Sequence, residues 1–565
     1  MQIKQYVQFA KFMRQLSRMR ADKIFFNAHI ITMNPNMPFA DSLAVKDGRI
    51  IAVGKYEETK LFGSAKTERI DMRRKTLIPG FIEPHNHFAM YGDMLLGVDC
   101  RPESNSSIEE ILEKIRERAK KTPPNRWIQG WGYDDTLISD KRHLTRYDLD
   151  RVAPNHFVYI SHISGHIGYA NSKLLKRINI SKDTPDPNGG EIFRDKNGEP
   201  TGVLAETPVL MPIYNLIPKP TINKIVRGMR KANREFLAAG VTSINDGGFF
   251  GIAPLVAYRT AHKRGAVNIR VYANIFAQVF ELLEKEGGIN LEKLGINSGS
   301  GNDKLRIGAV KIIQDGSIQG FTAALMEPYL SKPNEIGKLT LDQSELDRLV
   351  EKYHKAGFQI QIHGNGDRAI ESIIRAFEKA QDKFPRDDHR HQIIHCQMVN
   401  ENQLERMAKI GIIANFFPVH VYYWGDRHRE IFLGEERASR IDPLKSALEH
   451  GVIFSMHSDV PVTPVSPIMS IYAAVNRLTR KGEVLGVEQR ISVYDALKAV
   501  TINAAFMTFS ENEKGSIERG KLADFVVLSE DPFSIDPEKI KSIKIEKTII
   551  GGEIVYSNRE GINKS

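Results

Sequence analysis

The stretch Leu77-Ile78-Pro79-Gly80-Phe81-Ile82-Glu83-Pro84-His85-Asn86-His87 is an apolar run that closes on two histidines one residue apart. Residues i and i+2 of a β-strand point to the same face, so a strand ending here presents both imidazoles to one cation. A His-x-His pair by itself says little, because such pairs are common on surfaces. Lys311, His363, His395 and Asp459 give it weight, each sitting at the end of a similar apolar run. One pair suggests a metal; the series suggests a barrel.

Outward from that stretch, the middle of the chain alternates as α/β proteins do. Strand-like segments at 241–244, 269–273, 308–313, 358–363, 392–395, 411–415 and 452–456 are separated by helical patterns such as 344–356, 369–383 and 401–410. In a parallel α/β barrel the chemistry gathers at the C-terminal ends of the strands. The histidines and Asp459 fall at such ends. The stretch from 101 to about 219 breaks the alternation and is rich in turn signals, notably Thr184-Pro185-Asp186-Pro187-Asn188-Gly189-Gly190. It reads as a large insertion capping the barrel mouth. Short strand patterns at both chain ends, with Lys46-Asp47-Gly48 as a hairpin signal, predict one β-domain assembled from the two termini.

The bulk numbers narrow the class. At 565 residues, 41% hydrophobic and 26% charged, the composition is that of an ordinary globular protein. The net charge of +10 is a mild basic bias for this length, and without a clustered patch it argues against a nucleic-acid partner. Two cysteines, Cys100 and Cys396, exclude a disulfide framework and fit a reducing, cytoplasmic compartment. No run approaches the ~20 apolar residues of a membrane-spanning helix. Charge clusters only in residues 1–20, where Lys4, Lys11, Arg14, Arg18 and Arg20 stand among apolar residues with no acid. That pattern suits an amphipathic surface helix, a transit-like leader or a poorly ordered tail.

Each site residue has a plain alternative. His363 ends Gln359-Ile360-Gln361-Ile362 and His395 ends Ile393-Ile394; a lone strand-end histidine can be a core imidazole holding one hydrogen bond. Two at equivalent positions on successive strands are harder to explain that way. Asp459, in His457-Ser458-Asp459, could bind metal and take the proton of an attacking water. Lys311 interrupts an otherwise apolar strand. A buried unpaired ammonium tends to lose its proton and become reactive, whereas an ion pair with Asp315 would make it structural.

Taken together, the motif through His87, the strand lysine, the two strand-end histidines and the late Ser458-Asp459 resemble the amidohydrolase superfamily. The branch is similar to the amidohydrolase 3 family, which includes N-substituted formamide deformylases. Further matches are Tyr147-Asp148-Leu149-Asp150-Arg151-Val152-Ala153-Pro154, Ser164-Gly165-His166 with Asn171-Ser172, Asp315-Gly316-Ser317, His363-Gly364-Asn365-Gly366-Asp367-Arg368 and Gly520-Lys521-Leu522-Ala523-Asp524. The resemblance implies an α/β fold, a distorted TIM (β/α)8 barrel with a small β-sandwich domain. The expected organisation is a basic extension at 1–20, sandwich halves at 21–75 and 515–565, and a barrel at 76–514 with its insertion at about 101–219.

The resemblance also implies a divalent metal, zinc by preference and one or two ions, held by His85, His87, Lys311, His363, His395 and Asp459. Lys311 corresponds to the lysine that many relatives carry as a carbamate bridging two metals. Asp459 would serve as general base and His166, from the insertion, as a substrate contact, unless His166 is only a structural histidine in a Gly-flanked turn. The expected activity is hydrolysis of a non-peptide C–N bond in a small-molecule substrate, by a protein free to form a homo-oligomer. A heterocycle deaminase and a non-catalytic binding or regulatory barrel are the rivals. Two departures stand out: Glu83 replaces the usual Asp, and Ile318-Gln319-Gly320-Phe321 stands where relatives often carry an Arg, which puts the substrate carry-over in doubt.

Overall fold

The computed structural model describes residues 20–187, 190–288 and 295–558. The basic extension lies outside them except for Arg20. Eight parallel strands form the central sheet in chain order. They are β1 (Phe81–Asn86), β2 (Val241–Phe249), β3 (Arg270–Phe276), β4 (Leu305–Ile313), β5 (Ile360–Gly364), β6 (Gln392–His395), β7 (Ile413–Phe416) and β8 (Phe454–Met456). Most of their residues are buried, as expected of parallel strands covered on both faces.

No strand ladder joins β8 to β1. Single hydrogen bonds bridge the gap instead: His87 N–H donates to Val460 O at 2.8 Å, and Asn415 Nδ2 donates to Pro84 O at 3.1 Å. The barrel interior below its rim is polar. Asn274 Nδ2 donates to Asn245 Oδ1 at 2.6 Å and to Gln361 Oε1 at 2.9 Å, tying β3 to β2 and β5.

Two further sheets carry the chain ends. One orders Arg49–Gly54, Ser42–Lys46, Lys23–Phe26 and Glu68–Asp71; the other orders Glu553–Ser557, Ile545–Ile550, Phe525–Leu528, Thr76–Pro79, His29–Ile31 and Phe39–Ala40. Phe25, Leu43 and Val45 from the first share a core with Leu77, Phe525, Val527 and Ile549 from the second, and the Phe25 and Phe525 rings meet edge-on at 4.9 Å. N- and C-terminal strands thus interleave in one sandwich. The hairpin at Asp47-Gly48 adopts positive φ at both residues (49° and 76°), the twist that two-residue turns need.

The insertion forms its own compact unit, Phe88–Ala232. A six-stranded sheet orders Glu191–Arg194, Pro200–Ala205, Ile167–Ala170, Phe157–His162, Trp127–Tyr133 and Val98–Asp99. It has its own core, including Ile111, Ile128, Leu149 and Ile160. The unit extends beyond the 101–219 read from the sequence, and the helices at its two ends meet closely, a Cβ on Gly228 falling 2.4 Å from Gly92 O. No helix among the described residues is long and apolar enough to cross a membrane.

Candidate metal centre

Five of the strands deliver the site. His85 and His87 come from the end of β1, and Asp459 follows β8 in a backbone turned to φ +48°. Asp459 Oδ1 lies 3.4 Å from His85 Nε2 and 3.5 Å from His87 Nε2, and its Oδ2 lies 3.9 Å from His395 Nε2. Donor atoms of His85, His395 and Asp459 all fall within 4.8 Å of one another, all buried. The His363 ring is 4.6 Å from that of His395. On β2, Gly247 leaves room for the pair: a Cβ there would stand 2.6 Å from His85 Cε1 and 2.9 Å from His87 Cε1.

Electrostatics keep these imidazoles uncharged. Burial holds the His85, His87 and His395 imidazoles below their usual range, with Lys311 and neighbouring histidines adding to it for His85. Each is a neutral ring with one lone pair to give. Lys311 is pushed down to about 7 by burial, against a weaker pull upward from Asp459. Its Nζ is buried without a hydrogen-bond partner. An ion pair with Asp315 is not what the structure holds. Asp315 accepts from His363 Nδ1 at 3.1 Å and from the N–H groups of Asn365, Gly366 and Ala324.

Glu83, noted in the sequence only as a departure from the usual Asp, and His457 and His420, which the sequence did not single out, stand around the site. Glu83 accepts from both Ser458 N–H and Ser458 Oγ at 2.8 Å, anchoring the residue before Asp459, while burial raises its carboxyl to about 8. His457 is fully buried and bonds His395 Nδ1 through Nε2 at 3.2 Å. His420, with Nδ1 3.2 Å from Asp442 Oδ2, brings its ring 6.2 Å from that of His395. His166 belongs to the separate Phe88–Ala232 unit, where its Nδ1 meets Glu206 Oε2 at 3.0 Å.

The buried atoms fit a divalent first-row ion. Lys311 Nζ and Asp459 Oδ1 have no hydrogen-bond partner, the Nε2 atoms of His85 and His87 face that oxygen, and imidazoles beside one carboxylate are the donors such ions prefer. A second group, Asp134, Asp135 and His162, fits less well. Ser164 N–H donates to His162 Nδ1 at 3.1 Å, so the ring carries its proton on Nε2, the atom 3.2 Å from Asp135.

The whole chain has relatives. YtcJ of Bacillus subtilis is 32% identical, over 94% of this chain and 99% of that protein. The N-substituted formamide deformylase of Arthrobacter pascens is 29% identical, over 96% and 99%. A metal-dependent hydrolase of Pyrococcus horikoshii OT3 superposes with a TM-score of 0.74 at 27% identity, covering 91% of this chain and 99% of its own. The amidohydrolase family model matches residues 68–556, which takes in the barrel, the insertion and the sandwich strands from Glu68–Asp71 onward, and the chain belongs to that family.

Proposed function

We propose that the chain is a metal-dependent hydrolase that cleaves an amide-like, non-peptide carbon–nitrogen bond of a small molecule. The convergence of buried His85, His395 and Asp459 donors, with the unpaired Lys311 amine facing Asp459 electrostatically, carries this reading. His85, His87, His363, His395, Asp459 and Lys311 would hold the metal, and they are enough for one ion or two. Held there, a zinc-like ion supplies Lewis acidity, lowering the pKa of water towards about 7 and polarising a carbonyl.

The chain's own groups do the rest. Asp459 Oδ1 has no hydrogen bond to occupy it and takes the proton of the attacking water, then delivers it to the leaving amine. A neutral Lys311 amine can attack carbon dioxide: the N–C bond forms, a C=O π bond opens, one N–H proton leaves to solvent, and a carbamate anion remains. Similarity to a protein named an N-substituted formamide deformylase supports an N-formyl or N-acyl substrate. The deaminase reading is weaker, because Gly364-Asn365-Gly366-Asp367 after His363 lacks the glutamate of such relatives. Free, buried Cys100 and Cys396 suit a reducing compartment such as the cytoplasm.

Metal analysis of protein purified without added metal, with screening of N-formyl, N-acyl and cyclic amides, tests the reading. Bound metal and hydrolysis by wild type are the expected results. Protein free of metal, with stability indifferent to chelators, would overturn it.

A further inference from the structure

His457 does not face open space, yet its position is demanding. It is fully buried, its ring stacks on Phe417 at 5.0 Å and 15°, and it stands 5.2 Å from the His85 ring and 5.0 Å from the His395 ring. Both of its nitrogens are engaged: Nδ1 lies 2.8 Å from Asn415 Oδ1, and Nε2 lies 3.2 Å from His395 Nδ1.

The direction of these bonds follows from Asn415. Its Nδ2 donates to Pro84 O at 3.1 Å, and its Oδ1 accepts from Ser455 Oγ at 3.1 Å. Turning the amide over would set its oxygen against the Pro84 carbonyl, acceptor against acceptor. Oδ1 therefore faces His457, and His457 Nδ1 must carry a proton to donate. A neutral imidazole carries one proton, so His457 Nε2 is an acceptor. His395 must then donate from Nδ1, and the lone pair of the neutral His395 ring is left on Nε2. That is the atom facing Asp459 Oδ2.

The geometry points to His457 as a positioning residue that fixes the tautomer of His395, through a chain running Pro84 carbonyl, Asn415 amide, His457 imidazole, His395 imidazole. The inference rests on the metal-site reading above. The chain ties β1, β7, the loop after β8 and β6 together, so the same hydrogen bonds that bridge the barrel's gap choose which nitrogen of His395 meets a metal. His363 is held differently, its Nδ1 on the Asp315 carboxylate and its Nε2 3.3 Å from Asn365 Nδ2. A ring backed by a neutral imidazole is less electron-rich than one backed by a carboxylate, so the two histidines are unequal donors.

Zn²⁺ titration of metal-stripped protein against a chromophoric chelator tests this. His457→Phe keeps the ring on Phe417 and removes the acceptor; it should weaken Zn²⁺ binding about 10- to 100-fold, the usual cost of losing such a backing group. His457→Gln offers an amide oxygen to His395 Nδ1 and an N–H to Asn415, and should recover most of that loss. Thermal unfolding of the metal-stripped proteins separates a merely structural effect, which would lower stability in both variants without splitting their affinities. Equal affinity of wild type and His457→Phe, or equal loss in both variants, would overturn the inference. If the phenylalanine variant does not fold, nitrogen-15 spectra of histidine-labelled wild type decide. They should show the His457 proton on Nδ1, and a proton on Nε2 refutes the chain. Wild type that binds no Zn²⁺ would instead defeat the metal-site reading, while the spectra would still report the tautomer.

Discussion

Two His-x-His pairs flank the barrel sheet, His85-Asn86-His87 leaving β1 and His389-Arg390-His391 entering β6. Burial holds the pKa of all four imidazoles down. They differ in where the nitrogens go. At the second pair, His389 Nε2 donates to Ile410 O and its Nδ1 accepts the His391 N–H. His391 Nδ1 accepts the Ile360 N–H, and its Nε2 donates to His354 Nδ1 at 2.8 Å. His354 Nε2 then donates to Phe384 O. Every ring nitrogen of that trio is bonded. At the first pair, His85 Nδ1 and Asp459 Oδ1 have no partner, and Lys311 Nζ shares that state. A buried histidine with a depressed pKa is therefore no sign of a site; His85, His395 and Asp459 are set apart because their donor atoms converge within 4.8 Å of one another beside an unpartnered carboxylate oxygen.

The comparison breaks most sharply on metal removal. Chelation should abolish hydrolysis and lower stability by several kcal/mol, since a ligand at 100 to 1,000 times its dissociation constant contributes about 3 to 4 kcal/mol. Restored metal should restore both, read by activity and melting temperature. Asp459→Asn comes next, with kcat reduced about 10²- to 10⁴-fold, the span typical for loss of a general base. Hydrolysis that survives the substitution unchanged would remove Asp459 from its role. His391→Leu in the closed trio should leave metal content at the wild-type level while costing stability, because the Ile360 N–H and His354 Nδ1 lose their partner.

The closed trio should show itself in acid. His389 titrates at about 4 in the folded chain, against 6.5 for an ordinary histidine, because burial outweighs its bond to Ile410. A proton on Nδ1 would also face the His391 N–H, donor against donor. Between those two pH values the unfolded chain binds more protons. The stability tied to a neutral His389 is complete above pH 6.5 and is lost as pH falls through 4, on the order of 3 kcal/mol. Denaturant midpoints measured from pH 7 to 4 should fall accordingly. His389→Asn, which keeps an acceptor for the His391 N–H but does not titrate, should flatten that slope.

The proposed ligands were legible because each breaks a local rule. A lysine within an apolar strand, or a histidine or aspartate at the end of one, is out of place unless something needs it. The closed trio shows the limit of that logic, since His389-Arg390-His391 is as good a His-x-His as the opening one. What separates them is position at the start or the end of a strand, and the partners Ile410, Ile360 and His354. His457 stood two residues from Asp459 in plain view. Its work depends on Asn415, 42 positions back, and no spacing rule links them. The edges of the insertion depend on similar contacts: the helix Phe88–Met94 joins it through partners far along the chain, the close approach of Gly92 to Gly228 and the bonds of Lys224 to Asp93 and Lys231 to Leu95.

The smallest expected effect concerns Glu83, where relatives often carry Asp. Its two oxygens receive the Ser458 N–H and Oγ–H, and Ser458 precedes Asp459. Glu83→Gln keeps an oxygen for the N–H. Its NH₂ donates to the Ser458 hydroxyl, which rotates to accept as it would from a protonated carboxyl, so both bonds survive. With the carboxyl raised to about 8, the wild-type group carries its proton at pH 7, and the amide replaces a neutral group by a neutral group. Loss of kcat should stay within about threefold, the scale of one altered neutral hydrogen bond. Glu83→Ala strands both Ser458 donors in a buried loop and should cost distinctly more. If glutamine proves as damaging as alanine, Glu83 acts through its negative charge, and the division between open and closed ends of the barrel would have to include a carboxylate beneath Asp459.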